Sequence, residues 1–175
     1  MPIHVRLLRL TPVDAEIEFM SPGGPAEIRG RLMGPTCAVT TTIEVAYHLR
    51  GNRVIIPEPG WWDPQSPFLY HGPVELWQGG EKLETGRIRI GLRHTTWAGD
   101  QLVHNGRPVE LKSQPIGSAE EAVLHAARNA GFNAVEVPAA LAEEACAIAD
   151  RIGLFVIPDG PTTIDPLRHP SVIKR

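Results

Sequence analysis

The densest acid–base chemistry in the sequence is two carboxylate pairs, Glu120-Glu121 and Glu143-Glu144. Successive side chains on a helix project roughly 100° apart, so neither pair can flank one scissile bond, and both read as solvated helix faces. The seven His, at positions 4, 48, 71, 94, 104, 125 and 169, never recur at metal-ligand spacing with one another or with Cys37 and Cys146. His94 and His104 can meet across a hairpin, but strand positions account for both without a zinc ion. No Gly-rich phosphate loop follows a strand, and no Gly-x-Ser-x-Gly elbow occurs. The residues therefore offer no catalytic group, no metal site and no cofactor site. Trp61, beside Trp62, is the candidate for binding: an exposed indole can stack on a sugar ring, whereas a corner Trp plugs a core.

Size and composition narrow the scaffold. At 175 residues and 19.1 kDa, the chain is too short for a closed eight-stranded α/β barrel of about 250 residues. It has 17 Gly and 17 Pro, well above the usual share of about 12% and the mark of a turn-rich chain rather than a helical bundle. A hydrophobic content of 42% excludes disorder. The net charge of −3, without a basic run, excludes a nucleic-acid footprint. Arg6, Arg9 and Asp14 interrupt the N-terminus, so neither a signal peptide nor a membrane span is expected. Cys37 and Cys146 are expected as buried free thiols in a cytoplasmic protein.

The first two thirds read as strands. Residues 3–10 (IHVRLLRL) and 15–20 (AEIEFM) alternate across the turn Thr11-Pro12-Val13-Asp14, as a hairpin with one buried face does. Residues 21–25 (SPGGP) break the pattern, and 37–49 (CAVTTTIEVAYHL) predict one long strand. Gly51-Asn52 turns the chain into RVIIP. After a Pro-rich stretch at 57–67 come YHGPVELWQ, RIRIGLRHTTW, QLVHN and RPVELK, separated by Gly79-Gly80, Gly99-Asp100 and Asn105-Gly106. Short strands with turn signals between them predict an antiparallel sandwich.

Near Gln114 the period becomes helical. Ser118 and Glu121 form a capping box; Ala122, Val123, Ala126, Ala127 and Ala130 make an apolar stripe, and Gly131 ends the helix. FNAVEVP is a strand. A second helix over 139–152 turns Leu141, Ala145, Ile148, Ala149 and Ile152 inward and stops at Gly153. The apolar strand LFVIP follows, as in a parallel sheet covered on both faces. These are two βα units. The expected fold is mostly β with an α/β C-terminal part: an immunoglobulin-like antiparallel β-sandwich over 1–112, with 1–35 unassigned, then a (β/α) barrel fragment of three to four strands over 113–175.

WDPQSPFLY, RIRIGLRHTTW and LVHNGRPVELKS resemble, in order and spacing, the immunoglobulin-like domain of glycoside hydrolase family 2 and its entry into the catalytic barrel. Trp62, Pro64, Pro67, Leu69, Tyr70, Gly91, Arg93, Asn105, Gly106 and Pro108 occupy the pattern's positions. The resemblance runs over residues 36–173, continuing through AARNAGFNAVEVP, ADRIGLFVIPD and HPSVI. Each of these residues also has a structural reading. Pro64 and Pro67 suit a corner between sheets, Trp62 and Tyr70 pack into it, and Asn105-Gly106 makes a two-residue hairpin turn.

The resemblance implies that a retaining glycosidase of this family uses two carboxylates about 5 Å apart, the first in an Asn-Glu pair at the end of the fourth barrel strand. Here Lys174 and Arg175 follow Ile173, and neither carboxylate is among the 175 residues. The strand ends depart from the family pattern too: SQPIGS after the first strand, Glu136 where an Arg is usual after the second, and Pro158-Asp159-Gly160 after the third. The sequence thus points to a non-catalytic relative, a carbohydrate-related binding or assembly module whose carbohydrate contacts are Trp61, Gln114, Glu136 and Asp159. The alternative is part of a split glycosidase that another chain completes. An open partial barrel predicts a homo-oligomer or another protein at its edge, unless residues 161–175 fold back and cover that edge.

Overall fold

The computed structural model describes residues 3–21, 23–24 and 26–174. Its first strands are β1 (His4–Leu10), β2 (Asp14–Met20), β3 (Glu27–Thr36), β4 (Val45–His48) and β5 (Arg53–Pro57). Two short strands, β6 (Trp62–Asp63) and β7 (Ser66–Pro67), precede the long pair β8 (Leu69–Gln78) and β9 (Glu81–Ile90). One antiparallel sheet has the order β1-β2-β5 and the other β4-β3-β8-β9. Ile17, Phe19, Val54 and Ile56 from the first sheet meet Ile28, Leu32, Tyr70, Val74 and Ile90 from the second in one buried cluster. That is a β-sandwich, with alternate residues of each strand turned inward. Asn52, at the predicted turn, ties the sheets together: its amide accepts from Ile28 N and donates to the Ala26 carbonyl, at 2.7 and 2.8 Å.

Three strand assignments differ from the sequence reading. Residues 37–44 are not strand, and only Val45–His48 of the predicted run pairs. The β-branched residues there have no partner strand to satisfy them, so propensity yields to context. Ile43 is 85% exposed. Conversely, β3 is an interior strand of its sheet although Gly30, Gly34 and Pro35 obscure its alternation. Those glycines are where β3 lies close against β8: a Cβ on Gly30 would stand 2.3 Å from the Pro73 carbonyl oxygen. RIRIGLRHTTW, finally, is two strands, because the chain leaves the sandwich after Ile90. Of the predicted break at 21–25, Pro22 and Pro25 lie outside the described residues.

Strands β10 (Thr95–Ala98), β11 (Gln101–His104) and β12 (Arg107–Val109) form a third antiparallel sheet. Its second turn is the predicted Asn105-Gly106, with φ of 49° and 77°. Then the chain becomes α/β: β13 (Ser113–Pro115), α1 (Glu121–Asn129), β14 (Ala134–Pro138), a turn of 3₁₀ helix at Ala139–Leu141, α2 (Ala142–Ile152) and β15 (Phe155–Asp159). The parallel sheet runs β13-β14-β15. A parallel bridge between Val156 and Val172 adds the 171–173 segment beside β15, so the expected three to four strands are present. The tail does return to the edge of β15 within the chain.

Helix α1 ends as its sequence predicts. Gly131 N donates to Arg128 O and Phe132 N to Ala127 O, with Gly131 at φ 89°, the Schellman arrangement. Its start and its face differ. The cap is Glu120, and the Ser118 hydroxyl accepts from Glu120 N at 3.1 Å without reaching the first helical turn. Leu124 and Ala127 are the buried residues, while Ala122, Ala126 and Ala130 face solvent. One large side chain sets the buried face more strongly than several alanines, because the area it removes from water is larger. In α2, Ala145, Ala149 and Ile152 are buried as expected and Leu141 and Ile148 partly so; Ala142, Cys146 and Asp150 are buried as well. Cys37 is only half-buried.

Candidate functional site

The corner between the sandwich and the parallel sheet frames the two clefts that hold Trp61, Glu136 and Asp159. Trp62 is fully buried and touches both parts. Its backbone N donates to Leu92 O, its carbonyl accepts from Asn105 Nδ2 at 2.9 Å, and its indole Nε1 donates to the Asp150 carbonyl at 2.8 Å. His104 and Phe155 pack edge-on against the indole. Pro64 and Pro67 are buried in the same corner, and Pro64 presses on the end of α2: a Cβ on Gly153 would lie 2.1 Å from the Pro64 carbonyl oxygen. Tyr70, also fully buried, accepts from Gly60 N at 2.8 Å, and burial pushes its hydroxyl up to about 12.

His104 is 1% exposed. Its Nε2 lies 3.0 Å from the Trp62 carbonyl and its Nδ1 2.7 Å from the Thr95 hydroxyl. The neutral ring satisfies both, donating from Nε2 and accepting at Nδ1. Burial, helped by the Arg93 charge, pulls its pKa down to about 4. His94 does not join it; its backbone pairs with Asn105 instead. Among the described residues no cluster of three His, Cys, Asp or Glu is placed to hold a metal ion, and no helix is long and apolar enough to cross a membrane.

A polar latch, not anticipated from sequence, holds the 171–173 segment. Asp150 Oδ1 accepts from Ser171 N and its Oδ2 meets His169 Nδ1, both at 2.9 Å. Arg93 Nη2 donates to the Val172 carbonyl. Burial lowers the Arg93 guanidinium to about 10 against the opposing pull of Asp150. Gly91 leaves room for this segment, since a Cβ there would stand 2.4 Å from Pro170 Cγ. The signal for the latch was a charged residue, Asp150, one helical turn after Cys146 on the apolar side of α2.

Two clefts open around this frame. The first, about 950 Å³, lies at the C-terminal ends of β14 and β15 and takes in Glu136, Asp159, Thr162, Ile173 and Lys174. The Ser113 hydroxyl donates to Glu136 Oε1 at 2.6 Å. Gln114 is not on its wall: in register with Val135, it lies on the opposite face of the sheet from Glu136. The second cleft, about 890 Å³, contains Trp61 with Asp63, Arg107 and Glu110. The four carbohydrate candidates are therefore split: Glu136 and Asp159 together, Trp61 in another cleft, Gln114 in neither.

No family model matches the sequence, and no curated protein does. Solved structures do. A β-glucuronidase from Ruminococcus gnavus superimposes with a TM-score of 0.69 at 21% identity, over 98% of this chain and 35% of that one. The chain has the fold of part of a family 2 glycosidase. A glycosyl hydrolase family 2 member from Bacteroides cellulosilyticus gives 0.65 at 19%, over 98% and 29%. A β-D-glucuronidase of Dictyoglomus thermophilum gives 0.66 at 19%, over 91% and 29%. The chain spans about a third of the length of each. The superposition extends to nearly the whole chain, including residues 3–35, which the sequence motifs do not reach.

Proposed function

We propose that the chain is a non-catalytic member of the family 2 glycosidase structural group, serving as a carbohydrate-related binding or assembly module. The observation that carries this is the open cleft at the strand ends. Phe155, Ala134 and Ile173 turn to the inner side of the parallel sheet, where Trp62, Leu69 and Leu102 pack against them and bury them. Above them Glu136 and Asp159 face the cleft, where parallel α/β folds place ligands. Glu136 already accepts from the Ser113 hydroxyl at 2.6 Å, and two carboxylates that accept hydrogen bonds suit recognition of sugar hydroxyls.

The second reading is that another polypeptide completes the barrel and supplies the acid and nucleophile. Its support is the 171–173 segment, which already lies parallel to β15 and could continue a ladder. One experiment separates the two. The purified chain is assayed on para-nitrophenyl β-glucuronide and β-glucoside while its mass is followed by sedimentation velocity from micromolar to millimolar concentration. The first reading expects no turnover and, because the 171–173 segment covers the β15 edge but leaves that of β13, reversible self-association. Turnover lost in Glu136→Gln overturns it.

A further inference from the structure

We infer that the cleft beside Trp61 is a second carbohydrate-binding site, for a neutral sugar residue, separate from the cleft at the strand ends. It lies at the other end of the parallel sheet: Asn133, on its wall, immediately precedes β14, whereas Glu136 and Asp159 stand toward the C-terminal ends of their strands. Its volume of about 890 Å³ is in the range of small-ligand sites.

Its polar groups divide into two sets. One is fully committed to the protein and makes the wall rigid. Asn133 accepts from Lys112 N and donates to the Glu110 carbonyl, at 2.7 and 2.8 Å, and Asn105 and His104 both serve the Trp62 carbonyl. The other set is free to meet a ligand. Among the described residues neither the Arg107 guanidinium, the Glu110 carboxylate nor the Trp61 indole Nε1 has a protein partner, and Asp63 accepts from Gln65 N at Oδ1 while its Oδ2 stands 3.8 Å from His104 Nε2.

The half-exposed Trp61 is fixed from behind, because the next residue, Trp62, is held at its backbone N, its carbonyl and its indole. Holding the platform still reduces the ordering cost of stacking. A flat indole, two carboxylates that each accept from vicinal hydroxyls and one guanidinium donor are the complement of a pyranose: apolar on its C–H face, hydroxylated at its rim. Two negative groups against one positive disfavour an anionic sugar. The site does not rest on the function proposed for the strand-end cleft.

The test is isothermal titration calorimetry of the whole chain with methyl β-glucoside, methyl β-galactoside, cellobiose and lactose. At least one probe is expected to bind in the millimolar range, at least ~tenfold more weakly to Trp61→Ala. Arg107→Ala, at an exposed hairpin position, keeps the fold intact and is expected to weaken the same probe about fivefold. Glu136→Gln and Asp159→Asn leave this affinity unchanged. Absence of binding by every probe overturns the site, as does equal affinity in Trp61→Ala. Loss of binding in Glu136→Gln with retention in Trp61→Ala also overturns it, and then supports the strand-end cleft instead.

Discussion

The indole Nε1 of Trp62 donates to the Asp150 carbonyl at 2.8 Å, joining two residues from opposite parts of the fold. With His104 and Phe155 packed on the same ring, this contact locks the sandwich corner to α2. Trp62→Ala is expected to lower stability by ~3–5 kcal/mol, through loss of a large buried side chain and the cavity left behind. Trp62→Phe keeps most of the bulk but leaves the carbonyl without its donor, at a cost of about 1–2 kcal/mol. Urea unfolding checks both; equal effects of the two variants would remove the hydrogen bond from the account.

Gly153 carries a double constraint. Its φ of 73° is left-handed, and the Pro64 carbonyl lies where a Cβ would go. Gly131 at φ 89° has the same backbone demand but nothing within 4 Å. Gly131→Ala is therefore expected to cost roughly 1–2 kcal/mol. Gly153→Ala must cost that and also push the Pro64 corner off the helix end, so its unfolding midpoint falls further. Equal midpoints would refute the close approach.

His104 makes stability depend on pH. Its pKa falls from 6.5 in the unfolded chain to about 4 in the fold, chiefly through burial. Between those values the unfolded chain binds the extra proton, so stability is full above pH ~6.5 and declines as pH falls toward 4. At about 1.4 kcal/mol per unit, the loss is at most a few kcal/mol. His104→Gln, which does not titrate, should flatten that part of the curve. Urea midpoints at neutral and mildly acid pH decide it, and an unchanged slope in the variant assigns the dependence to other groups.

How far the sequence reached can be read from particular residues. Period and turn chemistry located β14, α2, β15 and the turns at Gly51-Asn52 and Asn105-Gly106, because those signals are local. Residues 37–44 misled, since β-branched side chains signal a strand whether or not a partner exists. Strand β3 was hidden because Gly30 and Gly34 serve close approach to β8, a property of the pair rather than of either segment. Which of the candidate residues share a cleft was not legible. Glu136, opposite Ile157, and Asp159, opposite Pro138, share a cleft because they fall on one face of the sheet, and Gln114, opposite Val135, falls on the other.

The two thiols should differ in reactivity. Cys146 is fully buried, and burial pushes its pKa up to about 12, whereas Cys37 is half-buried in the 37–44 segment. A thiolate is the reacting form, so a disulfide-exchange reagent is expected to label Cys37 in the folded protein and Cys146 only after unfolding. Cys37→Ser should abolish native-state labelling. Labelling of Cys146 without denaturant would show that the contact between α2 and the sheet opens readily.

The 171–174 segment is one wall of the strand-end cleft and is held by side chains from three places. Arg93 donates to the Val172 carbonyl, Asp150 accepts from Ser171 N, and the Trp97 indole donates to the Lys174 carbonyl at 2.8 Å. Its backbone contact with β15 consists of Val156 N to Ser171 O and Ile173 N to Val156 O. Arg93→Met keeps an unbranched aliphatic side chain but removes the donors, so it is expected to loosen this segment selectively. Amide exchange should accelerate at Val156 and Ile173 by about tenfold for each 1.4 kcal/mol of local stability lost. The Leu154 amide, which donates to Ala149 O at the end of α2, should keep its protection. If Leu154 accelerates equally, Arg93 supports the whole α/β layer rather than the latch. If only Val156 and Ile173 respond, the wall of the cleft can open while the sheet behind it stays folded.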